Sequence, residues 1–241
     1  MNQNIFVVYP SAKLGDFIWH VPFIKHISDI SNKKVILITR KSTSAHDILS
    51  NEDYIKNIHY IPFKKGLFNY IREILLMRKL FRKFKAKEVW ILDKISRPAI
   101  AAKLSNIKTI NGFGVTNQKL WITNKNSLDR KDLKIHYIER SKKFFNLLNK
   151  PIDYKFTNIH INEDLINIIK KELTPNNEKI ITYGIDSSEM WRSWPKEYFS
   201  DLVLKINKED NCKHILIASP QNSKIAVDIM NRTKLKNIFN Y

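Results

Sequence analysis

The chain predicts the α/β class, with parallel βαβ units in its first part and a shorter stretch of the same kind after it. Three observations lead there. Short apolar runs suited to strands alternate with segments of helical period through the first half. Two polar segments, Ser11-Ala-Lys-Leu-Gly-Asp16 and Trp191-Arg-Ser-Trp-Pro195, each stand between an apolar run and an amphipathic segment, the place where an open parallel sheet gathers ligand groups at its carboxyl edge. The length of 241 residues, 43% of them apolar, suffices for one large domain or one and a half smaller ones.

Residues 5–9 read as the first strand, 17–28 as the helix after it, 35–39 as the second strand, 46–49 as a short helix and 58–61 as a third strand. A long amphipathic helix is predicted over 67–87, with Ile71, Ile74, Leu75, Met77, Phe81 and Phe84 at helical spacing. Residues 88–93 form the next strand, 98–104 a helix, and 109–114 a short strand running into a glycine-containing turn. A helix over 136–148 follows. Lys150-Pro-Ile-Asp-Tyr-Lys155 breaks the pattern and opens a linker that runs through Ile161, followed by a helix over 163–173. Beyond it come a strand over 179–184, a polar loop, a helix over 195–208, a strand over 214–218 and a helix over 223–232. The reading is a Rossmann-like parallel-sheet domain over residues 1–160 and a partial second domain of that kind over 161–241, whose two predicted strands are too few for a complete doubly wound sheet.

Forty-two Lys and Arg against 23 Asp and Glu leave a net charge of +19, which calls for polyanionic company: nucleic acid, anionic lipid or phosphorylated sugar. A solvated surface in a Lys-, Asn- and Ile-rich chain accounts for part of it. The single cysteine, Cys212, excludes an intrachain disulfide and a Cys-rich metal site, and fits a reducing, cytoplasmic setting. The apolar run at residues 4–9 is too short for a secretory signal core, and no run reaches membrane-spanning length. The expectation is a protein that is soluble or peripheral to a membrane. No nucleic-acid module and no interleaved aromatic and basic stripe is present, so nucleic acid is not an expected partner.

In Leu14-Gly15-Asp16, glycine permits a sharp bend and close approach to a ligand, while the aspartate has two readings: the cap of the following helix, or a base that accepts a proton. In Ser187-Ser188-Glu-Met-Trp-Arg192-Ser-Trp-Pro195, hydroxyls and a guanidinium precede a helix opening with proline. Arg192 can grip a diphosphate with two hydrogen bonds; the other reading is a solvated Arg192 beside a core Trp194. Lys64 and Lys65, with Arg72, Arg78, Lys79, Arg82, Lys83, Lys85 and Lys87, form a dense basic face on or before one helix, read first as packing with solvated cations and second as contact with anionic headgroups. His20 lies one turn after Asp16, at the border of the same site or within the core. The seven histidines are scattered, without His-Glu-x-x-His or a carboxylate cluster at ligand spacing, so no metal site is expected.

These segments in this order resemble the heptosyltransferases of glycosyltransferase family 9, which add heptose to the inner core of lipopolysaccharide. The resemblance spans nearly the whole chain: Ser11-Ala-Lys-Leu-Gly-Asp-Phe-Ile-Trp-His-Val-Pro22, Ile91-Leu-Asp-Lys-Ile-Ser-Arg-Pro-Ala99, Asn111-Gly-Phe-Gly114, His136-Tyr-Ile-Glu-Arg140 and Arg192-Ser-Trp-Pro195. It implies a GT-B architecture and inverting, metal-independent transfer from a nucleotide sugar, with no cofactor. By that resemblance Asp16 is the general base, Gly15, Ser187, Ser188 and Arg192 serve the donor, and Lys64 and Lys65 face an anionic glycolipid acceptor of the cell envelope. A cytoplasmic place, peripheral at the inner membrane, goes with it.

The chain departs from the family at three points. Arg192 stands where lysine is usual, keeping the charge but changing its geometry. Ser219-Pro-Gln-Asn222 lacks the acidic residue often found after this strand, which leaves the nucleotide of the donor open. The family's Asp-x-Gly-x-x-His type segment does not occur, so a truncated second domain is expected and the alternative function is an inactive remnant that binds an anionic glycolipid or a membrane surface.

Overall fold

The computed structural model describes residues 4–62, 64–155, 159–161, 163–173, 178–187, 190–210, 212–219 and 222–240. The chain divides into two compact units, Met1–Ile161 and Asn162–Tyr241. In the first, β1 (Asn4–Val8) leads to α1 (Leu14–Ser31), β2 (Val35–Thr39) to α2 (Ala45–Leu49), and β3 (Ile55–Tyr60) to α3 (Leu67–Lys83). Then come β4 (Ala86–Ile91), α4 (Arg97–Lys103), β5 (Thr109–Gly112) and α5 (Tyr137–Leu147). The five strands pair in parallel in the order β3-β2-β1-β4-β5.

The apolar runs are continuous because the central strands are covered on both faces. All five residues of β2 are buried. Alternate side chains then feed two separate cores. Ile5, Val7, Tyr9, Val35, Leu37 and Trp90 join Phe17, Phe23, Phe144 and Phe145 on one face. Phe6, Val8, Ile36, Ile38, Val89 and Ile91 join Ile74, Met77, Phe81 and Ala99 on the other. The result is a three-layer sandwich, with β3 as an edge strand that exposes Lys56 and Asn57.

In the second unit, α6 (Glu163–Leu173) precedes β6 (Ile180–Gly184), α7 (Lys196–Glu209), β7 (Lys213–Ile217), α8 (Ser223–Thr233) and β8 (Ile238–Asn240). The sheet is parallel, in the order β6-β7-β8. Its core gathers Tyr183, Ile185, Val203, Leu216, Ala226, Ile229 and Ile238. The buried Tyr183 hydroxyl and His214 Nδ1 satisfy one another at 2.9 Å.

Three expectations change. The sheet of the second unit has a third strand, β8, whose three residues bury only Ile238 and so carry little pattern. The long helix ends at Lys83 rather than Lys87, because Lys85 turns at φ 49° and the chain enters β4 at Ala86. Ile71 and Leu75, expected to pack inward, are 52% and 53% exposed; the inner stripe is Glu73, Ile74, Met77 and Phe81.

Candidate functional site

In the first unit the strand order reverses direction between β1 and β4, and ligands of open parallel sheets bind at the carboxyl edge beside such a reversal. The chain leaving β1 forms the Pro10–Lys13 segment, which its neighbours hold in place. Arg40 Nε donates to the Pro10 carbonyl and Ser42 Oγ to the Ala12 carbonyl at 2.7 Å. This anchors the start of α1, where Gly15 and Asp16 stand.

The residue preceding α1 is Lys13, so Asp16 lies in the first helical turn rather than at the cap, where its charge is favoured by the helix dipole. Gly15 is helical and its φ is not positive, which removes the sharp bend expected of it. A Cβ added there meets nothing within 4 Å, so the glycine instead leaves open space beside Asp16.

Around Asp16 stands an aromatic and cationic group of which the sequence marked His20 alone, at the border of the same site or within the core. Tyr9 follows β1, and its side chain is buried. Burial raises this phenol above its ordinary range; Ser11 offsets part of the rise, and the Asp16 and Asp93 carboxylates and Tyr137 add to it. Tyr137, at the start of α5, is raised by burial and then by Asp16. His20 is held in the core: its ring stacks on Tyr137 at 5.3 Å, and Nδ1–H donates to the Asp16 carbonyl at 2.7 Å. Burial pulls its pKa down to about 4, so the ring is neutral and props the first turn of α1.

Asp93, after β4, accepts from the Ile95 N–H at 3.1 Å. Burial pushes its carboxyl up, while the Ile95 and Lys94 backbone N–H groups and Arg140 favour the charged form. Arg140 of α5 lies over the Phe113 ring at 5.6 Å, and its charge acts on both Asp93 and His20. The buried Gln118 ties these loops together: its Oε1 accepts from the Gly114 N–H at 2.7 Å, and its Nε2 donates to the carbonyls of Asp93 at 2.8 Å and Ile95 at 2.7 Å.

On the same edge a cavity of about 600 Å3 is walled by Arg40, Lys64, Lys65, Lys94, Arg97 and Tyr70, among others. Both lysines expected to face an anionic acceptor therefore share one basic cavity, whose described wall does not include Asp16. The acid in its structure is Glu73, 1% exposed, which pairs with Arg97 and accepts from the Lys64 N–H. Arg97 also donates to the Lys64 carbonyl at 3.2 Å and lies over the Tyr70 ring at 5.6 Å. Five cations in the wall, against one buried carboxylate paired with Arg97, leave this cavity strongly positive, a setting for phosphate or carboxylate groups.

In the second unit, Asp186 follows β6 and organises the edge. Its Oδ2 accepts from the Ser219 N–H at 2.9 Å, the Ser219 hydroxyl at 2.6 Å and Asn222 Nδ2 at 3.0 Å. Those bonds hold its carboxyl below its ordinary range. An acid thus does meet the loop after β7, though it comes from β6. Ser187 follows Asp186, while Ser188 lies outside the described residues. Arg192 sits in a single tight turn, Met190–Arg192, with its guanidinium 4.5 Å from the centre of the Trp191 ring. Trp194 is 48% exposed and packs on Tyr198 and Phe199 rather than entering the core. Pro195 caps α7 instead of opening it. Among the described residues, no three His, Cys, Asp or Glu side chains gather in a way that holds a metal ion.

Sequence comparison finds no matching family model and no matching curated protein. Solved structures do match over 99% of the chain. A family 9 glycosyl transferase from Veillonella parvula superposes with a TM-score of 0.76 at 18% identity, covering 69% of that chain. The ADP-heptose lipopolysaccharide heptosyltransferase II of E. coli gives 0.72 at 12% identity over 72% of its length. The E. coli heptosyltransferase WaaC with ADP gives 0.66 at 13% identity over 74%. At these identities the likeness establishes the fold, which is α/β and GT-B-like.

Proposed function

We propose that this chain belongs to a metal-independent glycosyltransferase that inverts the anomeric centre of a heptose-like sugar as it passes from a nucleotide-sugar donor to an anionic cell-envelope glycolipid. The observation that carries the reading is the carboxyl edge of the first unit. There Asp16 stands beside open space among Tyr9, His20 and Tyr137, on the same edge as a basic cavity of about 600 Å3. The shared fold with heptosyltransferases supports it.

Asp16 takes the proton from the acceptor hydroxyl as the oxygen attacks the anomeric carbon. The bond from that carbon to the diphosphate breaks, and the nucleoside diphosphate leaves with the electron pair. Arg192 and the hydroxyls of Ser187 and Ser188 hold the donor diphosphate, the guanidinium offsetting the departing charge and the hydroxyls donating hydrogen bonds to it. Lys64 and Lys65 bind the acidic groups of the acceptor. The reaction takes place at the cytoplasmic face of the inner membrane, where such an acceptor is anchored.

Calorimetric titration with ADP-heptose, ADP and other nucleotide sugars tests the donor half: saturable binding, weakened by Arg192→Ala, is expected. Asp16→Asn should retain donor binding and lose transfer by about a hundred- to ten-thousand-fold. Transfer that survives this substitution rejects the base. A folded protein that binds none of these donors rejects the transferase reading and favours a non-catalytic glycolipid or membrane binder.

A further inference from the structure

Helix α3 turns an unusual face outward. Leu67, Ile71 and Leu75 recur every fourth residue, and Arg78 and Arg82 continue the same stripe. Leu67 and Phe68 are each 78% exposed, far more than apolar packing allows. A groove of about 540 Å3 lies among Phe68, Ile71, Leu75 and Leu76, with Arg72 and Lys79 also in its wall. The outer face is therefore zoned. Its first part, about 12 Å from Leu67 to Leu75 at helical rise, is apolar, and its last turns are cationic through Arg78, Lys79, Arg82 and Lys83.

Acidic side chains are missing from this face. The one carboxylate of α3, Glu73, is buried on the opposite side and paired with Arg97. A protein surface that binds another protein normally mixes signs of charge, whereas cations alone beside exposed Leu, Ile and Phe suit an anionic bilayer: the cations meet headgroups and the apolar residues enter the acyl boundary.

We propose that α3 docks the first unit on an anionic phospholipid bilayer, with Leu67, Phe68, Ile71 and Leu75 inserted and Arg72, Lys79, Arg82 and Lys83 against the headgroups. Its start also adjoins the basic cavity, since Lys65, Gly66 and Tyr70 belong to the cavity wall. Docking by this face brings the cavity to headgroup level. That last consequence rests on the reading of a lipid-linked acceptor; the docking itself rests on the surface.

The test is co-sedimentation of the full chain with phosphatidylcholine vesicles with and without phosphatidylglycerol. Binding is expected with phosphatidylglycerol, weakening as salt rises and in Arg82→Glu. Phe68→Ser should lower the partition coefficient about tenfold, the transfer free energy of one aromatic side chain. Phe68 and Arg82 are exposed, so circular dichroism and melting should match wild type. Absence of vesicle binding, or binding indifferent to Phe68→Ser, overturns the proposal. So does self-association through this face, or RNA binding insensitive to Phe68→Ser, in place of vesicle binding. ADP-heptose titration of the same samples separates the two readings: donor binding without vesicle binding removes only the docking, and the reverse removes only the transferase.

Discussion

Replacing Arg97 by Met takes from the Glu73 carboxylate, 1% exposed, its ion-pair partner, and leaves it the Lys64 N–H bond and the charge of Arg40. Breaking a buried ion pair from one side costs about 3–5 kcal/mol, because the remaining charge stays desolvated. Loss of the contact with the Tyr70 ring at 5.6 Å adds about 0.5–1 kcal/mol. The Lys64 carbonyl, on an exposed residue, regains water and adds little. The expected loss is therefore about 4 kcal/mol, a large part of the stability of a typical domain. Removing both charges, with Glu73→Leu added to Arg97→Met, takes away the stranded carboxylate and should bring stability back to within about 1 kcal/mol of wild type. Two compact units make a single unfolding midpoint ambiguous, so the measurement is hydrogen exchange of the amides of β1, β2 and β4, which report on the first unit alone. A double variant as unstable as the sum of its single variants would refute the coupling, and with it the view that Glu73 is the electrostatic keystone of the basic cavity.

The neutral, buried His20 makes stability depend on pH. Its folded-state pKa is about 4, so between roughly pH 6.5 and 4 the unfolded chain takes up a proton that the folded one refuses; stability is full above that window and falls through it by about 3 kcal/mol. His20→Phe should flatten this part of a pH series of stabilities measured by hydrogen exchange of the β1, β2 and β4 amides, and an unchanged slope would show that His20 is not the group responsible. Gly114 has φ +70°, and a Cβ there would stand 2.3 Å from the Ser127 Cβ. Gly114→Ala should cost about 2–4 kcal/mol by hydrogen exchange of the same strand amides; a loss below 1 kcal/mol, on the order of a neutral surface change, would show that this turn yields.

Strands β1, β2 and β4 were legible because they are buried on both faces, which makes their apolar runs continuous. The bounds of α6 were legible from its period and the breaks around it. The end of α3 was not, since the chain turns there at Lys85 without glycine or proline to mark it. The candidate site divides in the same way. Lys64 and Lys65 stood out by charge, within the basic stretch on or before α3, and as acceptor residues only by resemblance. Glu73 could not: one glutamate on a basic helix reads as solvated until Arg97, 24 residues later, is folded against it. Tyr9 and Asp93 read as strand residues and Tyr137 and Arg140 as residues of a helix, with no chemical role read for any of them; their shared neighbourhood exists only once α5 packs against the sheet. A strand-terminal acid such as Asp93 was the available signal.

The amide of Gln118 joins Gly114, Asp93 and Ile95 with three hydrogen bonds, and the residue is fully buried. Two adjoining loops of the edge therefore move as one piece. A ligand entering beside them meets a floor already set, and the ordering it must impose falls on Lys64, Lys65 and other long wall side chains, each at about 0.5–1.5 kcal/mol. Affinity for related anions should then track how many of those cations each engages. Size would be read by the fixed floor and charge by the adaptable rim, a division of labour that lets one scaffold discriminate among anions of similar shape.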